Sequence, residues 1–337
     1  MQLSQAVDRV AAGENLASDV MAETIGEIID GKAAAAEVIA LLTALRNKGE
    51  SVDEIVGAAE AMRQRARPFQ VAGGVVVDTC GTGGDGKGSV NISTIAALVV
   101  ASGGVKVAKH GNWAQSSRAG SADLLAALGL QVDAPLPSLE RSLAKVGITF
   151  LLAPTFHPAM RQVAKIRRQM AARTIFNLLG PLTNPAKVAY QVVGVFDRQR
   201  VRQLAECLLR LGSKRALVVH GEGGFDEFAP SGASYVAELR DGTVAEYTLS
   251  PRDFGLTDLD PSGLAGGEPA ENALRARAIL GGETGAARNC VVMTAAATFC
   301  MAGQGDWSSN ARRAEALLDD GSAAALLQRW VHSQERE

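Results

Sequence analysis

Residues 75–94 read Val-Val-Val-Asp-Thr-Cys-Gly-Thr-Gly-Gly-Asp-Gly-Lys-Gly-Ser-Val-Asn-Ile-Ser-Thr. The β-branched run Val75-Val76-Val77 predicts a strand, the glycines a tight turn, and Ser93-Thr94 the start of a helix over 93–100. Glycine lets backbone N–H groups approach a ligand closely, and a helix N-terminus adds partial positive charge. The segment therefore predicts an anion site, with phosphate or pyrophosphate as the natural occupant. A turn serving only to reverse the chain has no need of Asn91, Ser93 and Thr94 beside it.

Working outward, the chain divides in character. Residues 1–67 predict helices without a strand: Val7, Val10, Leu16, Val20, Ile25, Ile28 and Ile29 recur at near-helical spacing. A second helix covers Ala33 to Arg46, and a third begins at Ser51 with Glu54 completing a capping box. Pro68 closes the block. From about residue 73, strands alternate with helices: strands at 75–77, 104–108, 148–152, 191–196 and 216–219, helices at 121–128 and 198–211. That alternation predicts a mostly parallel sheet flanked by helices. Asp241-Gly242 between two apolar runs predicts a hairpin of 234–239 with 244–249. Residues 157–173, 269–281, 284–302 and 308–334 predict further helices, the first of them folding back onto the N-terminal block.

Composition narrows the function classes. With 47% hydrophobic and 21% charged residues, the 337-residue chain has the make-up of a globular α/β protein of roughly two domains. A formal net charge of −2 gives no footprint for nucleic acid or an anionic membrane. Cys80, Cys207, Cys290 and Cys300 form no Cys-x-x-Cys pair, which points to reduced thiols and a cytoplasmic protein. No signal-peptide pattern and no membrane-spanning apolar run is expected.

Two familiar readings of the glycine loop fail. Gly81, Gly83 and Gly86 satisfy the dinucleotide fingerprint, which requires an acidic residue ~20 positions on to hold the ribose. No Asp or Glu lies between Asp85 and Asp123, and the second strand ends in Lys109-His110. Gly81 to Lys87 starts a Walker A loop, yet Gly88 stands where a magnesium-binding Ser or Thr belongs.

Three other constellations follow strands. Residues 109–123 form a dense polar run from Lys109 to Asp123. At strand carboxyl ends of an open α/β sheet, this run and the glycine loop would be neighbours. His157 to Arg173 carries Arg167, Arg168 and Arg173, a cationic face suited to a carboxylate. Asp226-Glu227 on a glycine-rich loop after residue 219 suits magnesium, which takes a few carboxylates plus phosphate oxygens.

Taken in order, D-T-x-G-T-G-G-D-G, N-I-S-T, K-H-G-N-x-x-x-S-S-x-x-G-S-A-D, H-P-A-M, R-T-I-F-N-L-L-G-P-L-T-N-P and G-F-D-E resemble the anthranilate phosphoribosyltransferase family. The resemblance runs from the helical N-terminus to about residue 300. It implies an α/β fold shared with pyrimidine nucleoside phosphorylases: a small all-helical N-terminal domain and a larger α/β domain with a mostly parallel central sheet. The helical domain would be 1–70 joined by helices around 157–186; the α/β domain would be 73–156 and 187–337. A homodimer through the helical domain is implied as well.

The implied activity is transfer of phosphoribosyl from phosphoribosyl pyrophosphate (PRPP) to the amine of anthranilate, releasing pyrophosphate, in tryptophan biosynthesis. Carried across by motif, Gly81, Thr82, Gly83, Gly84 and Asp85 would cradle the pyrophosphate. Asn91, Ser93, Thr94 and Lys109 would hold the PRPP phosphates, with Ser121 nearby. Ser93, Asp226 and Glu227 would coordinate Mg²⁺. His110, Asn112, His157, Arg167 and Gly180 would form the anthranilate site, Arg167 pairing the carboxylate. No acid–base residue is assigned, because an aromatic amine is neutral at pH 7 and its lone pair is free.

Three positions depart from the family pattern: Trp113 in place of Arg, Met170-Ala171 in place of Leu-Gly, and Phe225 in place of Leu. Trp113 exchanges a cation for an indole, read either as repacking at the site margin or as altered aromatic-substrate preference. Retention of Arg167 favours repacking. The other functions weighed are a same-fold enzyme for another aromatic amine or for a pyrimidine nucleoside with phosphate, and a non-catalytic nucleic-acid-binding homologue. Arg167 with the Asp226-Glu227 pair argues against the nucleoside enzyme, and the absence of a basic balance argues against nucleic acid.

Overall fold

The computed structural model describes residues 1–114, 117–170 and 172–334. Ser116 of the polar run and Ala171 of the second departure lie outside them. The chain opens with four helices, α1 (Leu3–Ala11), α2 (Ser18–Ile29), α3 (Ala35–Lys48) and α4 (Val52–Arg65). Ser51 caps α4: its hydroxyl accepts from Glu54 N at 3.2 Å, and the Glu54 carboxylate accepts from Ser51 N at 2.8 Å.

The remainder runs β1 (Val76–Gly81), α5 (Ile92–Ser102), β2 (Lys106–Gly111), α6 (Ser121–Ala127), α7 (Leu136–Lys145), β3 (Ile148–Leu152), α8 (Ala153–Phe156), α9 (Met160–Met170), β4 (Tyr190–Gly194), α10 (Arg200–Arg210), β5 (Arg215–Gly221), β6 (Ser234–Arg240) and β7 (Thr243–Leu249). It closes with α11 (Pro269–Leu280), α12 (Ala286–Met301), α13 (Trp307–Asp319) and α14 (Ser322–Gln334). The single helix expected over 308–334 is two helices. Gly321 separates them with φ +77°, a left-handed value that glycine adopts without a Cβ clash.

The strands form one sheet in the order β3-β2-β1-β4-β5-β6-β7. The first five are parallel, and the β6–β7 hairpin continues the sheet antiparallel. Side chains alternate between two apolar layers, as a doubly covered sheet requires. Val77, Val107, Val192 and Leu217 pack with α5 and α12 in one cluster. Cys80, Val193, Val218 and Ala237 pack on the other face with α10, the N-terminal helices, Val163 and the 175–182 segment. Residues 157–182 thus meet the N-terminal helices, as the cationic helix was expected to do. All four cysteines are free and buried. No helix among the described residues is long and apolar enough to cross a membrane.

Candidate active site

Four of the parallel strands, β1, β2, β4 and β5, end in glycine: Gly81, Gly111, Gly194 and Gly221. These carboxyl ends lie together, and loops cross them at very close range. A Cβ on Gly194 would sit 1.6 Å from the Asp226 carbonyl oxygen, and one on Gly111 would sit 2.1 Å from Ser121 Oγ. Only hydrogen fits there, so glycine lets the Asp226-Glu227 loop and the Ser121 helix start lie across the strand ends.

One cavity of about 320 Å³ opens at this place. Gly81, Thr82, Gly83, Gly84, Asp85, Asn91, Ser93, Thr94, Lys109, His110, Asn112, Ser121, Arg167, Gly180, Asp226 and Glu227 all line it. His157 does not; it is buried behind His110, with ring centroids 5.2 Å apart. Trp113 lines the cavity and is 39% exposed, so the indole stands at its rim. Phe225 is buried in the core beneath the Lys87 ammonium, 5.5 Å from its ring centroid.

At the phosphate end, backbone donors meet carboxylates. Gly83 N–H donates to Asp226 Oδ2 at 2.9 Å, and Ser93 N–H to Glu227 Oε1 at 3.2 Å. Asp85 Oδ1 accepts from Lys87 N at 3.0 Å, while Asp85 Oδ2 is buried without a partner. Burial and the neighbouring Asp85 push Asp226 up to about 7. Burial and Asp226 hold Glu227 well above the usual carboxylate range. Lys109, only 2% exposed, donates from Nζ to the Thr79 carbonyl at 2.5 Å. Thr94 Oγ1 is buried and unpartnered. A buried hydroxyl without a partner and a buried ammonium beside insufficiently neutralised carboxylates make a site for an anion and a cation together.

The chemistry of this donor set fits magnesium. Among the described residues no three acidic, His or Cys side chains form an enclosing cage. Mg²⁺ is commonly held by one or two carboxylates, with water and substrate phosphate oxygens completing the shell. Asp226, Glu227 and the Ser93 hydroxyl, which all line the cavity, would supply the protein's share.

The other wall carries Arg167, Phe176, Gly180 and His110. Arg167 on α9 is half-buried, its guanidinium 5.8 Å from the Phe176 ring centroid. No carboxylate pairs with it among the described residues. His110 Nδ1 lies 3.1 Å from the Gly180 carbonyl, which only accepts, so Nδ1 carries the proton. Burial and His157 lower His110 to about 3, and burial lowers His157 to about 4. Both rings are neutral at pH 7. Nε2 of His110 is thereby a buried lone pair without a donor.

Motif reading missed what holds these groups apart. The β1–β2 ladder stops at Val77↔Val107, although β1 stays paired with β4, and β2 with β3, as far as their terminal glycines. Side chains bridge the gap. Asp78 Oδ1 accepts from His110 N at 3.3 Å, and Asn184 Nδ2 donates to both Asp78 Oδ2 and the Ala108 carbonyl at 2.8 Å. The buried Asp78–Asn184 pair therefore fixes the end of β2, where Lys109 and His110 stand. Arg168 and Arg173, expected with Arg167 on a cationic face, do not line this cavity; Arg173 instead stacks 3.9 Å over Phe196 and donates to the Gly84 carbonyl.

The comparisons with known proteins bear on this arrangement. Residues 4–66 match the glycosyl transferase family helical bundle domain, and residues 73–324 the glycosyl transferase family a/b domain. The anthranilate phosphoribosyltransferase of Myxococcus xanthus is 49% identical over 329 residues, 97% of each chain. The chain belongs to the anthranilate phosphoribosyltransferase family. As a member, it is a pentosyltransferase with the family's helical bundle and mostly parallel α/β sheet. The crystal structure of the Thermus thermophilus anthranilate phosphoribosyltransferase superposes with a TM-score of 0.92 at 44% identity, covering 98% of this chain and 99% of that one. The Saccharomyces cerevisiae enzyme in complex with PRPP and Mg superposes at 0.90 with 28% identity, covering 99% and 98%.

Proposed function

We propose that the chain transfers the phosphoribosyl group of PRPP to the amine of anthranilate in this cavity, with Mg²⁺ as cofactor. The observation that carries the reading is one cavity with two opposed walls. One wall offers the glycine loop, Lys109 and the Asp226-Glu227 carboxylates; the other offers a half-buried Arg167 and the neutral His110.

In the transfer, the amine nitrogen bonds to the ribose C1 and the C1–O bond to pyrophosphate breaks. The electron pair of that bond leaves with pyrophosphate, and the amine gives up one proton, which the departing pyrophosphate or water takes. Charge develops on the leaving oxygen, beside the Lys109 ammonium and the Gly81–Gly84 loop; with Thr82 N committed to the Gly194 carbonyl and Gly83 N to Asp226, Lys109 is the main source of stabilisation there. Bound at Ser93, Asp226 and Glu227, magnesium would neutralise phosphate charge. Asn91, Ser93 and Thr94 at the α5 start, with Ser121, hold the remaining phosphate oxygens. Arg167 takes the anthranilate carboxylate. His110 Nε2 accepts a hydrogen bond from the amine and so aims its lone pair, while Asn112 and Gly180 shape the aromatic slot. His157 supports the His110 ring from behind. Rate enhancement rests on positioning and leaving-group stabilisation, with no strong base required.

The reading includes a helical domain of 1–70 joined by 157–186, an α/β domain of 73–156 and 187–337, a homodimer through the helical domain, and a cytoplasmic location. Val163 and the 175–182 segment, packed in one cluster with the N-terminal helices, support that joining. Incubation with PRPP, Mg²⁺ and anthranilate tests the function: pyrophosphate and an anthranilate–ribose phosphate adduct should form in equal amounts. Pyrophosphate release independent of anthranilate would overturn it.

A further inference from the structure

We infer that Asn272, on α11 and outside the cavity, is a positioning residue for the PRPP phosphates, acting through Asn91. Asn272 is 1% exposed, and both ends of its amide are used. Its Oδ1 accepts from Gly267 N at 2.8 Å, and its Nδ2 donates to Asn91 Oδ1 at 3.1 Å. Asn91 in turn donates from Nδ2 to the Ala119 carbonyl at 3.0 Å. One chain of hydrogen bonds thus runs from α11, through the residue preceding α5, to the loop that leads into Ser121.

The backbone repeats this brace. Gly266 N donates to the Gly88 carbonyl at 2.7 Å, and Val90 N to the Leu264 carbonyl at 2.9 Å. A Cβ on Gly266 would sit 2.9 Å from Ser89 C, so the 264–267 turn lies directly against the outer half of the glycine loop. Residues 88–91 hold little regular structure of their own, and they carry the chain into α5, whose Ser93 N–H donates to Glu227 and whose Ser93 and Thr94 line the cavity. The external brace sets the position of that helix start. Within it, Asn272 supplies the side-chain contact that fixes the Asn91 amide. With Oδ1 committed to Asn272, Asn91 must present Nδ2 to Ala119, which holds two phosphate-bearing loops at one spacing.

The alternative is a buried asparagine that merely caps the turn before α11 through Gly267. Asn272→Asp separates the two roles. It keeps an acceptor for Gly267 N but removes the donor to Asn91. If the Asn91 amide turns to meet the new carboxylate, its oxygen faces the Ala119 carbonyl and the link to that loop is lost. Asn272→Asp should therefore raise the PRPP KM about tenfold or more, with the anthranilate KM within about twofold of wild type. Isothermal titration with PRPP and Mg²⁺, without anthranilate, should show the same loss. Asn91→Ala combined with Asn272→Ala should weaken PRPP binding no further than Asn91→Ala alone.

Unchanged PRPP binding by folded Asn272→Asp would overturn the inference, as would multiplicative effects in the double variant. Should Asn272→Asp fail to fold, Asn272→Ser, which can still donate to Asn91, takes its place and should fall between wild type and Asn272→Ala. The inference rests on the phosphoribosyltransferase reading, and the two fail differently. An inactive wild-type protein sinks the reading, whereas an active one with normal PRPP affinity in Asn272→Asp sinks only the role of Asn272.

Discussion

Asp226 Oδ2 accepts a hydrogen bond from Gly83 N–H at 2.9 Å, joining residues 143 apart in sequence. The carboxylate assigned to magnesium is thus in contact with the loop assigned to pyrophosphate. Asp226→Asn keeps an oxygen for Gly83 but loses the charge. It should lower kcat/KM for PRPP on the order of 100-fold, with a raised magnesium requirement and no loss of thermal stability. A variant with near-normal turnover at low magnesium would remove Asp226 from the metal site.

Gly194 ends β4 beneath the same loop. Its hypothetical Cβ lies 1.6 Å from the Asp226 carbonyl oxygen and 2.6 Å from the carbonyl carbon. Gly194→Ala must push the backbone of Asp226 away from the strand end. Stability should fall by about 1–3 kcal/mol in denaturant unfolding, and activity should fall far more than that loss explains in protein shown to be folded. Full activity would mean that the loop position does not matter to the reaction.

The two buried histidines set a pH dependence whose sign follows from their depressed values, about 3 for His110 and about 4 for His157. Above the unfolded value, near 6.5, both states are neutral and stability is unaffected. As pH falls below it, the unfolded chain takes up protons that the fold refuses, so stability drops until the folded values are reached. At pH 5 the loss is on the order of 2 kcal/mol per histidine. Thermal midpoints measured from pH 7.5 to 4.5 should fall, with a shallower slope in His110→Asn. Equal slopes would mean that His110 is not held neutral.

Arg167 is assigned to the anthranilate carboxylate alone. Arg167→Ala should raise the anthranilate KM about 10- to 100-fold with a much smaller change in the PRPP KM. Arg167→Lys should recover only part of the loss, because an ammonium lacks the planar fork that pairs both carboxylate oxygens. Equal effects on both substrates would place Arg167 elsewhere in the reaction.

The glycine loop, the strand–helix alternation and the Asp226-Glu227 pair were legible because each is local. A turn that needs glycine, a strand that needs branched apolar residues and a loop that needs carboxylates write themselves into short stretches. The early end of the β1–β2 ladder was not legible, since Val77 and Val107 look no different from residues that stay paired. Asp78, Asn184 and Asn272 read as ordinary polar residues until the fold brings them together; each works through partners dozens or more residues away. The terminal glycines of four strands were visible as letters, but their purpose appears only when a second loop is seen crossing them. The division of 308–334 into two helices was written in Asp320-Gly321, a helix stop that the apolar spacing on either side concealed.

The most direct measurement is the loss of anthranilate fluorescence with PRPP and Mg²⁺, run beside aniline, which has the amine but no carboxylate. Wild-type protein should consume anthranilate only when PRPP and Mg²⁺ are both present. It should favour anthranilate over aniline by about 10- to 100-fold in kcat/KM, a preference that collapses in Arg167→Ala. Folded protein that leaves anthranilate untouched, or that consumes both amines equally well, would contradict the account.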